Sequence, residues 1–344
     1  MFAELTGNER VKQLLRRMLS SGRVPGALLF TGEAGVGKKL FALELAKALN
    51  CRNQQGIEAC GKCAACRRIS HFNFPESDDP DVLKQIIWTD HGDVGMVVAP
   101  KRLLRVEQMR LIEREANFRP FEGRARLFLI DDADRLNDQS SNALLKVLEE
   151  PPATSYLVLI TSRPAMLLPT IRSRCQAMRF SPLTVNEIEQ FLVKNKHAKG
   201  GEARLLAQYA GGSLGRALKG DTKEYKEHRE TMLKVLRGLA DRNHTQLLRG
   251  AETMNEARYK DDYEFRLDLL ETLIRDVLIV KLNAADERVV NEDLLPELRQ
   301  LAVITESERP AKWIANIEEM REQLVVNINR KIATDSLFLT MASS

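Results

Sequence analysis

An α/β fold built on a parallel sheet and followed by all-helical segments is what this sequence predicts, and three observations carry that expectation. A short apolar run, "ALLFTG", leads into the glycine-rich "GEAGVGKK" and then into "LFALELAKALN", whose apolar spacing is helical: strand, loop, helix. Two further β-like runs, "RLFLID" at 126–131 and "YLVLIT" at 156–161, are separated by the helical "SSNALLKVLEE", which stops at Pro151 and Pro152. Beyond Phe180 strand-like runs nearly vanish. Short buried strands alternating with helices imply a parallel sheet covered on both faces.

In order along the chain, "MFAELTGNERVKQLLRRMLSSGR" forms an amphipathic charged pattern ahead of the first strand. It lacks the apolar stretch of a secretory signal, and no later run reaches membrane-spanning length, which predicts a cytoplasmic protein without membrane contact. After Phe180, "SPLTVNEIEQFLVKN" has the pattern of a capped helix start, and "EARLLAQYAGGSLGRALKG" reads as helix, glycine break, helix. From Asp221 onward, charged helices such as "HRETMLKVLRGLA" and "YEFRLDLLETLIRDVLIVKLN" alternate with short polar joints. The expected domains are therefore 1–180, 181–220 and 221–344.

A chain of 344 residues exceeds one ordinary core, in line with that division. Hydrophobic residues make 44% and aromatics only 6%, which suits a helix-rich globular protein better than an all-β or disordered one. A net charge of +4 is too weak to demand nucleic acid. The basic stretches 102–126 and 163–179 could face a polyanion, but read most simply as solvated faces.

Gly32, Gly35 and Gly37 let backbone N–H groups turn toward phosphate oxygens, the next helix offers its positive end, and Lys38 adds a point charge. Lys39 departs from the pattern. A Ser or Thr hydroxyl normally holds Mg²⁺ there, and an ammonium has no lone pair to offer. ATP binding is compatible with this loop; metal-assisted hydrolysis is put in doubt. Asp131 at the end of "RLFLID" suits the magnesium-side acid, and Asp132 stands where a Glu would polarise the attacking water, one methylene short. A strand-end Asp cluster that caps the next turn is the competing account. Thr161 closes "YLVLIT" where a hydroxyl could sense phosphate, although a strand-end Thr needs no such role. Arg174, in "TIRSRCQ", reads either as a loop arginine reaching a neighbouring subunit's phosphates or as an ordinary ion-paired side chain. Arg216, at a helix start, could likewise reach phosphate or be a surface arginine.

Four of the five cysteines, Cys51, Cys60, Cys63 and Cys66, fall in "CRNQQGIEACGKCAAC". Such close spacing argues for thiolates converging on one structural Zn²⁺, with a redox pair or reactive surface thiols as the lesser alternatives. Cys175 stands apart and reads as a small, half-buried hydrophobe.

Taken together, "GEAGVGKK", the four-cysteine module directly after the first helix of the sheet domain, "LFLIDDAD", "NALLKVLEEPP", "LPTIRSRCQ" and "GGSLGRAL" closely resemble the bacterial DNA polymerase III clamp-loader subunits of the AAA+ class, and among them the delta-prime branch. The resemblance runs in register through roughly the first two-thirds of the chain, and "NINRKIATDSLFL" resembles the family's closing helix. It implies a RecA-like AAA+ domain over 1–180 carrying the zinc module at 51–66, a helical lid over 181–220, and a helical collar over 221–344 through which subunits form a five-membered ring. In that family the gamma or tau subunits hydrolyse ATP, the delta-prime branch is a stator, and the ring, which also contains delta, loads the sliding clamp onto primed DNA. Ser173, Arg174 and Cys175 match the family's SRC motif, whose arginine completes the neighbouring motor's ATP site; Arg216 matches the second sensor and Thr161 the first. Lys39 and Asp132 fit the stator branch, so the chain's own ATPase is expected to be weak or absent. The long C-terminal extension usual in the tau form of the motors is not expected here. The competing functions are a gamma/tau-like ATP-hydrolysing motor and a zinc-dependent nucleic-acid-binding protein. The stretch 71–100, with His91, Gly92 and Asp93 where the family has His-Pro-Asp, is longer than expected and reads as a surface loop.

Overall fold

The computed structural model describes residues 1–54, 56–72, 85–100, 103–256, 262–282, 289–324 and 329–343. They divide into two compact units, one of residues 1–203 with 212–219, the other of 204–211 with 220–344.

The first unit is built on a six-stranded sheet. Its strands are β1 (Ala27–Thr31), β2 (Ile87–Trp88), β3 (Val94–Val97), β4 (Arg126–Ile130), β5 (Ser155–Thr161) and β6 (Gln176–Arg179), in the order β2-β3-β4-β5-β1-β6. All pairings are parallel except β2 with β3. The central strands are apolar at nearly every position because both faces are covered, and successive side chains part to opposite sides. Leu28 and Phe30 of β1, Leu127 and Leu129 of β4, and Val158 and Ile160 of β5 pack on one face. They meet Val11 and Leu15 of α1 (Glu9–Ser20) and Phe41 and Leu45 of α2 (Lys38–Asn50). The alternate residues, Ala27 and Leu29, Phe128 and Ile130, Leu157 and Leu159, pack on the other. There they meet Met109 and Ile112 of α4 (Val106–Ala116), Leu144 and Val147 of α5 (Asp138–Glu149) and Ile171 of α6 (Pro169–Arg174); the remaining short helix, α3 (Ala64–Ile69), belongs to the cysteine module.

The helix ends follow the sequence. Asn137 caps α5, its Oδ1 accepting from Ser140 N at 2.9 Å while its own N–H donates to Ser140 Oγ at 2.9 Å. Asn137→Ala is expected to cost about 1 kcal/mol, read as a lower urea midpoint at unchanged slope; an unmoved midpoint would show that the cap contributes nothing. Thr184 and Glu187 form the reciprocal box that opens α7 (Val185–Lys194), as the pattern at 181–195 predicts.

Two expectations are corrected. Residues 85–100 are not a surface loop: they supply β2 and β3, and Val94, Met96 and Val97 are fully buried. The run "VGMV" is short and broken by a glycine whose lack of a Cβ lets Trp88 and Ile86 pack against it, so no alternation marked it as a strand. Residues 73–84 of that stretch lie outside the described residues. Arg174 is not on a loop beyond the last strand; it ends α6, and β6 follows, pairing with β1. The strand was hidden because "QAMR" sits at an edge with only Met178 buried.

The helical character beyond Phe180 is as read. After α7 come α8 (Gly200–Tyr209), a turn at Gly211 and Gly212, and α9 (Leu214–Lys219). Then follow α10 (Thr222–Ala240), α11 (His244–Met254), α12 (Tyr263–Lys281), α13 (Leu295–Ile304), α14 (Arg309–Leu324) and α15 (Arg330–Ser343). The core of this second unit gathers Met232, Leu236, Leu270, Ile274, Trp313 and Phe338. Two of its buried polar groups are matched across the core: Trp313 Nε1 donates to Met341 O at 2.7 Å, and Tyr263 Oη lies 2.6 Å from Thr334 Oγ1.

Candidate functional site

A cleft of about 580 Å³ opens at the carboxyl ends of β1, β4 and β5, where ligands of open α/β sheets collect. Gly35, Gly37, Lys38, Lys39, Asp131, Asp132 and Thr161 all line it. Gly37, at φ +96°, is the residue from which α2 starts, so the unpaired N–H groups of that first turn face the loop. Gly35, at φ +79°, is required for a second reason: a Cβ there would stand 2.1 Å from Ser213 Oγ. The chain from Ser213 to Lys219 lies against the loop, with Gly215 N donating to Gly35 O at 3.0 Å.

The two lysines of the loop have different partners. Lys38 is buried and its Nζ donates to Gly32 O at 2.5 Å and Glu33 O at 2.6 Å, folding back over the loop it belongs to. Burial pulls its pKa below the ordinary lysine value, opposed chiefly by Asp131. Lys39 points elsewhere: its Nζ sits 2.7 Å from Asp131 Oδ2. The acid that a divalent ion would use is thus already paired with a cation of the chain, and the position that should supply a hydroxyl ligand supplies an ammonium. These residues do not fit Mg²⁺.

Asp132 takes a left-handed backbone conformation, φ +47°, and pairs with Arg135 at 3.2 Å. Burial and then the neighbouring Asp131 raise its pKa above the usual carboxylate range. Thr161 is buried; its Oγ1 donates to Asp134 Oδ1 at 2.5 Å and accepts from Arg163 N at 2.9 Å. Asp134, which sequence reasoning passed over, is therefore what orients the hydroxyl. Gly32 and Arg216 are not among the residues lining the cleft; from α9 it is Leu214, Gly215, Leu218 and Lys219 that do so. Only the general pattern of a glycine break before a helix pointed toward them.

Arg174 lies outside the cleft. Its Nη2 is 2.8 Å from Glu149 and its Nη1 donates to Thr170 O at 3.1 Å. The side chain stays about one-third exposed, at 35%, so both bonds face solvent and both are weak. Cys175 beside it is buried, more so than the sequence suggests, and burial pushes its thiol up to about 12, which makes it inert.

The four clustered cysteines do converge. Cys51 follows α2, Cys63 caps α3 and Cys66 lies within it, and the four Sγ atoms fall within 4.8 Å of one another. Cys51 Sγ and Cys63 Sγ are 3.9 Å apart, far beyond a disulfide and close to the spacing of about 3.8 Å that four Zn–S bonds of about 2.3 Å impose at tetrahedral angles. Backbone N–H groups of Lys62 and Cys63 donate to Cys60 Sγ at 3.4 and 3.3 Å, and Cys60 N donates to Cys51 Sγ at 3.3 Å. The first two hold the Cys60 thiol below its ordinary pKa. This donor set is a closed, all-sulfur site able to hold a metal ion.

The module is fixed to the sheet by polar contacts. Asn50 Oδ1 accepts from Arg124 N at 2.8 Å and Ala125 N at 3.0 Å, Arg68 pairs with Glu122, and Arg16 with Glu58 at 2.6 Å. Asp93, fully buried, holds the same turn by accepting from the N–H groups of Phe121, Glu122 and Gly123 at 2.6 to 2.9 Å. A second grouping, Glu224, His228 and Asp262, has metal-like spacing but not the chemistry. Arg266 donates to His228 Nδ1 at 2.8 Å, which places the imidazole proton on Nε2 and leaves no lone pair toward the carboxylates.

Comparison with known proteins adds the following. Residues 7–184 match the family described as DNA polymerase III, delta subunit, and residues 223–341 its C-terminal counterpart. The delta-prime subunit of DNA polymerase III from Bacillus subtilis is 29% identical over 333 residues, 96% of this chain and 95% of that one. The tau subunit of Escherichia coli is 36% identical over 222 residues, 63% of this chain but 32% of its own length. For the tau subunit of Bacillus subtilis the match is 31% over 54% of this chain and 30% of that one. The chain thus spans about a third of the tau relatives it matches.

Proposed function

This chain belongs to the DNA polymerase III delta-subunit family, and from that premise we propose that it fills the delta-prime place in the clamp loader. In this reading it is a stator of the AAA+ class that turns over little or no ATP itself. One observation carries the choice within the family: the similarity to a delta-prime subunit runs through both chains, whereas the similarity to tau subunits covers only part of each. The ion pair between Lys39 and Asp131 supports it from the side of chemistry, because a motor's magnesium site is occupied by the chain's own charge.

The residues take the following roles. Cys51, Cys60, Cys63 and Cys66 hold a structural Zn²⁺, which supplies a cross-link to a segment with almost no apolar core of its own. Gly32, Gly35, Gly37 and Lys38 form a retained cradle for nucleoside phosphates, with Asp131, Asp132 and Thr161 at its far wall and Arg216 on the adjoining helix. Arg174 acts in trans on the ATP held by a neighbouring gamma or tau subunit. Residues 1–180 are the AAA+ domain, 181–220 the lid and 221–344 the collar that joins a ring with gamma or tau and delta. The ring acts on the sliding clamp and primed DNA in the cytoplasm. Among the described residues no helix is long and apolar enough to cross a membrane.

The test is reconstitution. Mixed with tau and delta from the same cell, the chain is expected to elute as one complex, to be required for clamp loading, and to hydrolyse negligible ATP alone. Motor-like turnover by the isolated chain with Mg²⁺, or failure to enter the complex, would overturn the reading.

A further inference from the structure

We infer that Lys39 is a tethered replacement for the divalent cation, so that the cleft takes nucleoside di- or triphosphate in its metal-free form. This rests on the reading of the cleft as a nucleoside-phosphate site and goes on to say which ionic form of the ligand it accepts.

In a phosphate-loop site the metal stands between the acid at the end of a neighbouring strand and the oxygens of the terminal phosphates, held by the residue after the loop lysine. In this chain the residue after Lys38 is Lys39, and its Nζ stands 2.7 Å from the strand-end acid, Asp131 Oδ2. The ammonium of the residue that replaces the hydroxyl ligand therefore stands where the metal would, beside the strand-end acid. Only one of its three N–H bonds is needed for Asp131, and the side chain is 43% exposed toward the cleft that both residues line, so the others remain available to phosphate oxygens. The first turn of α2 and Lys38 supply the rest of the cradle.

A metal-bound nucleotide would bring a divalent charge to within a few ångströms of this ammonium. The two repel, and the ion finds neither a hydroxyl nor a free carboxylate. A metal-free nucleotide meets complementary charge from Lys38, Lys39 and Lys219, all lining the cleft. The site's preference is thus the reverse of a motor's.

Calorimetric titration of the full chain with ADP and with ATP, in EDTA and in excess MgCl₂, decides the matter, using wild type, Lys38→Ala and Lys39→Thr. Wild type is expected to bind at least as tightly in EDTA as in Mg²⁺, and ATP about tenfold more tightly in EDTA. Lys38→Ala loses binding in both buffers. Lys39→Thr reverses the order, binding about tenfold more tightly with Mg²⁺. Circular dichroism confirms that each variant is folded. If wild type binds only with Mg²⁺, the tethered-cation inference fails while the nucleotide site stands. The same holds if wild type binds nothing but Lys39→Thr binds with Mg²⁺, because Lys39 then blocks the site instead of serving it. If neither protein binds in either buffer, the nucleotide reading itself fails.

Discussion

In a clamp loader rebuilt with Arg174→Ala, the motor site facing this chain is expected to slow its ATP turnover by about a thousandfold, while the remaining sites keep theirs. The loss is read in single-turnover experiments and as a fall in steady-state hydrolysis by the share of one site. The magnitude follows from what an arginine finger does: it meets the charge that develops on the transferred phosphoryl group, an effect absent from the ground state. The setting of Arg174 is compatible with the proposed reach outside its own chain. Arg174 ends a short helix just before the edge strand β6, and its partners, Glu149 and the Thr170 carbonyl, form bonds that an incoming phosphate can displace. Arg174→Lys should rescue little, since the forked guanidinium contacts are not available to an ammonium. Glu149→Gln should leave turnover near wild type, because it removes only the resting partner. The thermal midpoint of Arg174→Ala should match wild type, which separates a catalytic loss from unfolding. Unchanged hydrolysis at every interface would remove Arg174 from this role.

The contrast between Arg174 and the phosphate loop shows what was legible in the sequence. The strand, loop and helix order around the loop was legible, since glycine positions, a strand before and a helix after are local properties, although Gly32 does not line the cleft. The partition of β1, β4 and β5 between two faces was equally implicit in their unbroken apolar runs. What could not be read were the pairings between distant positions. Lys39 and Asp131 each drew attention, yet nothing in the chain says that the ammonium of one rests on the carboxylate of the other. Thr161 reads either as a phosphate sensor or as an ordinary strand-end Thr, and nothing in the sequence says that Asp134 accepts from its hydroxyl. The strands β2 and β3 escaped because two to four residues are too few to express a period, and β3 carries a glycine. Asp93 was noticed only as a motif letter; its work of holding the turn at 121–123 depends on a contact across 28 to 30 residues.

That turn leads to the other large effect. The purified chain is expected to carry one equivalent of zinc, and Cys66→Ser is expected to lose it together with several kcal/mol of stability. Structural zinc binds zinc-finger peptides with about 10–16 kcal/mol at neutral pH, and where no alternative core exists that energy is folding energy. Here the alternative is small: among the described residues the cluster around the sulfurs gathers Cys51, Ala59, Cys60 and Cys66 as buried residues, with Cys63 partly buried against them, and α3 adds Ala65 and Ile69. Removing one ligand leaves the remaining thiols clustered in a segment that buries little else, so the segment should open. Hydrogen exchange should rise first at 51–69 and then at 121–125, because Arg68 and Asn50 link the module to that turn. The helical unit from α10 to α15, with its own core, should keep its protection. Acid should act in the same direction, since zinc requires thiolates and protons compete for them as pH falls. Wild type that contains no metal, or Cys66→Ser that keeps its zinc and its exchange pattern, would show that the four sulfurs are held together by packing alone.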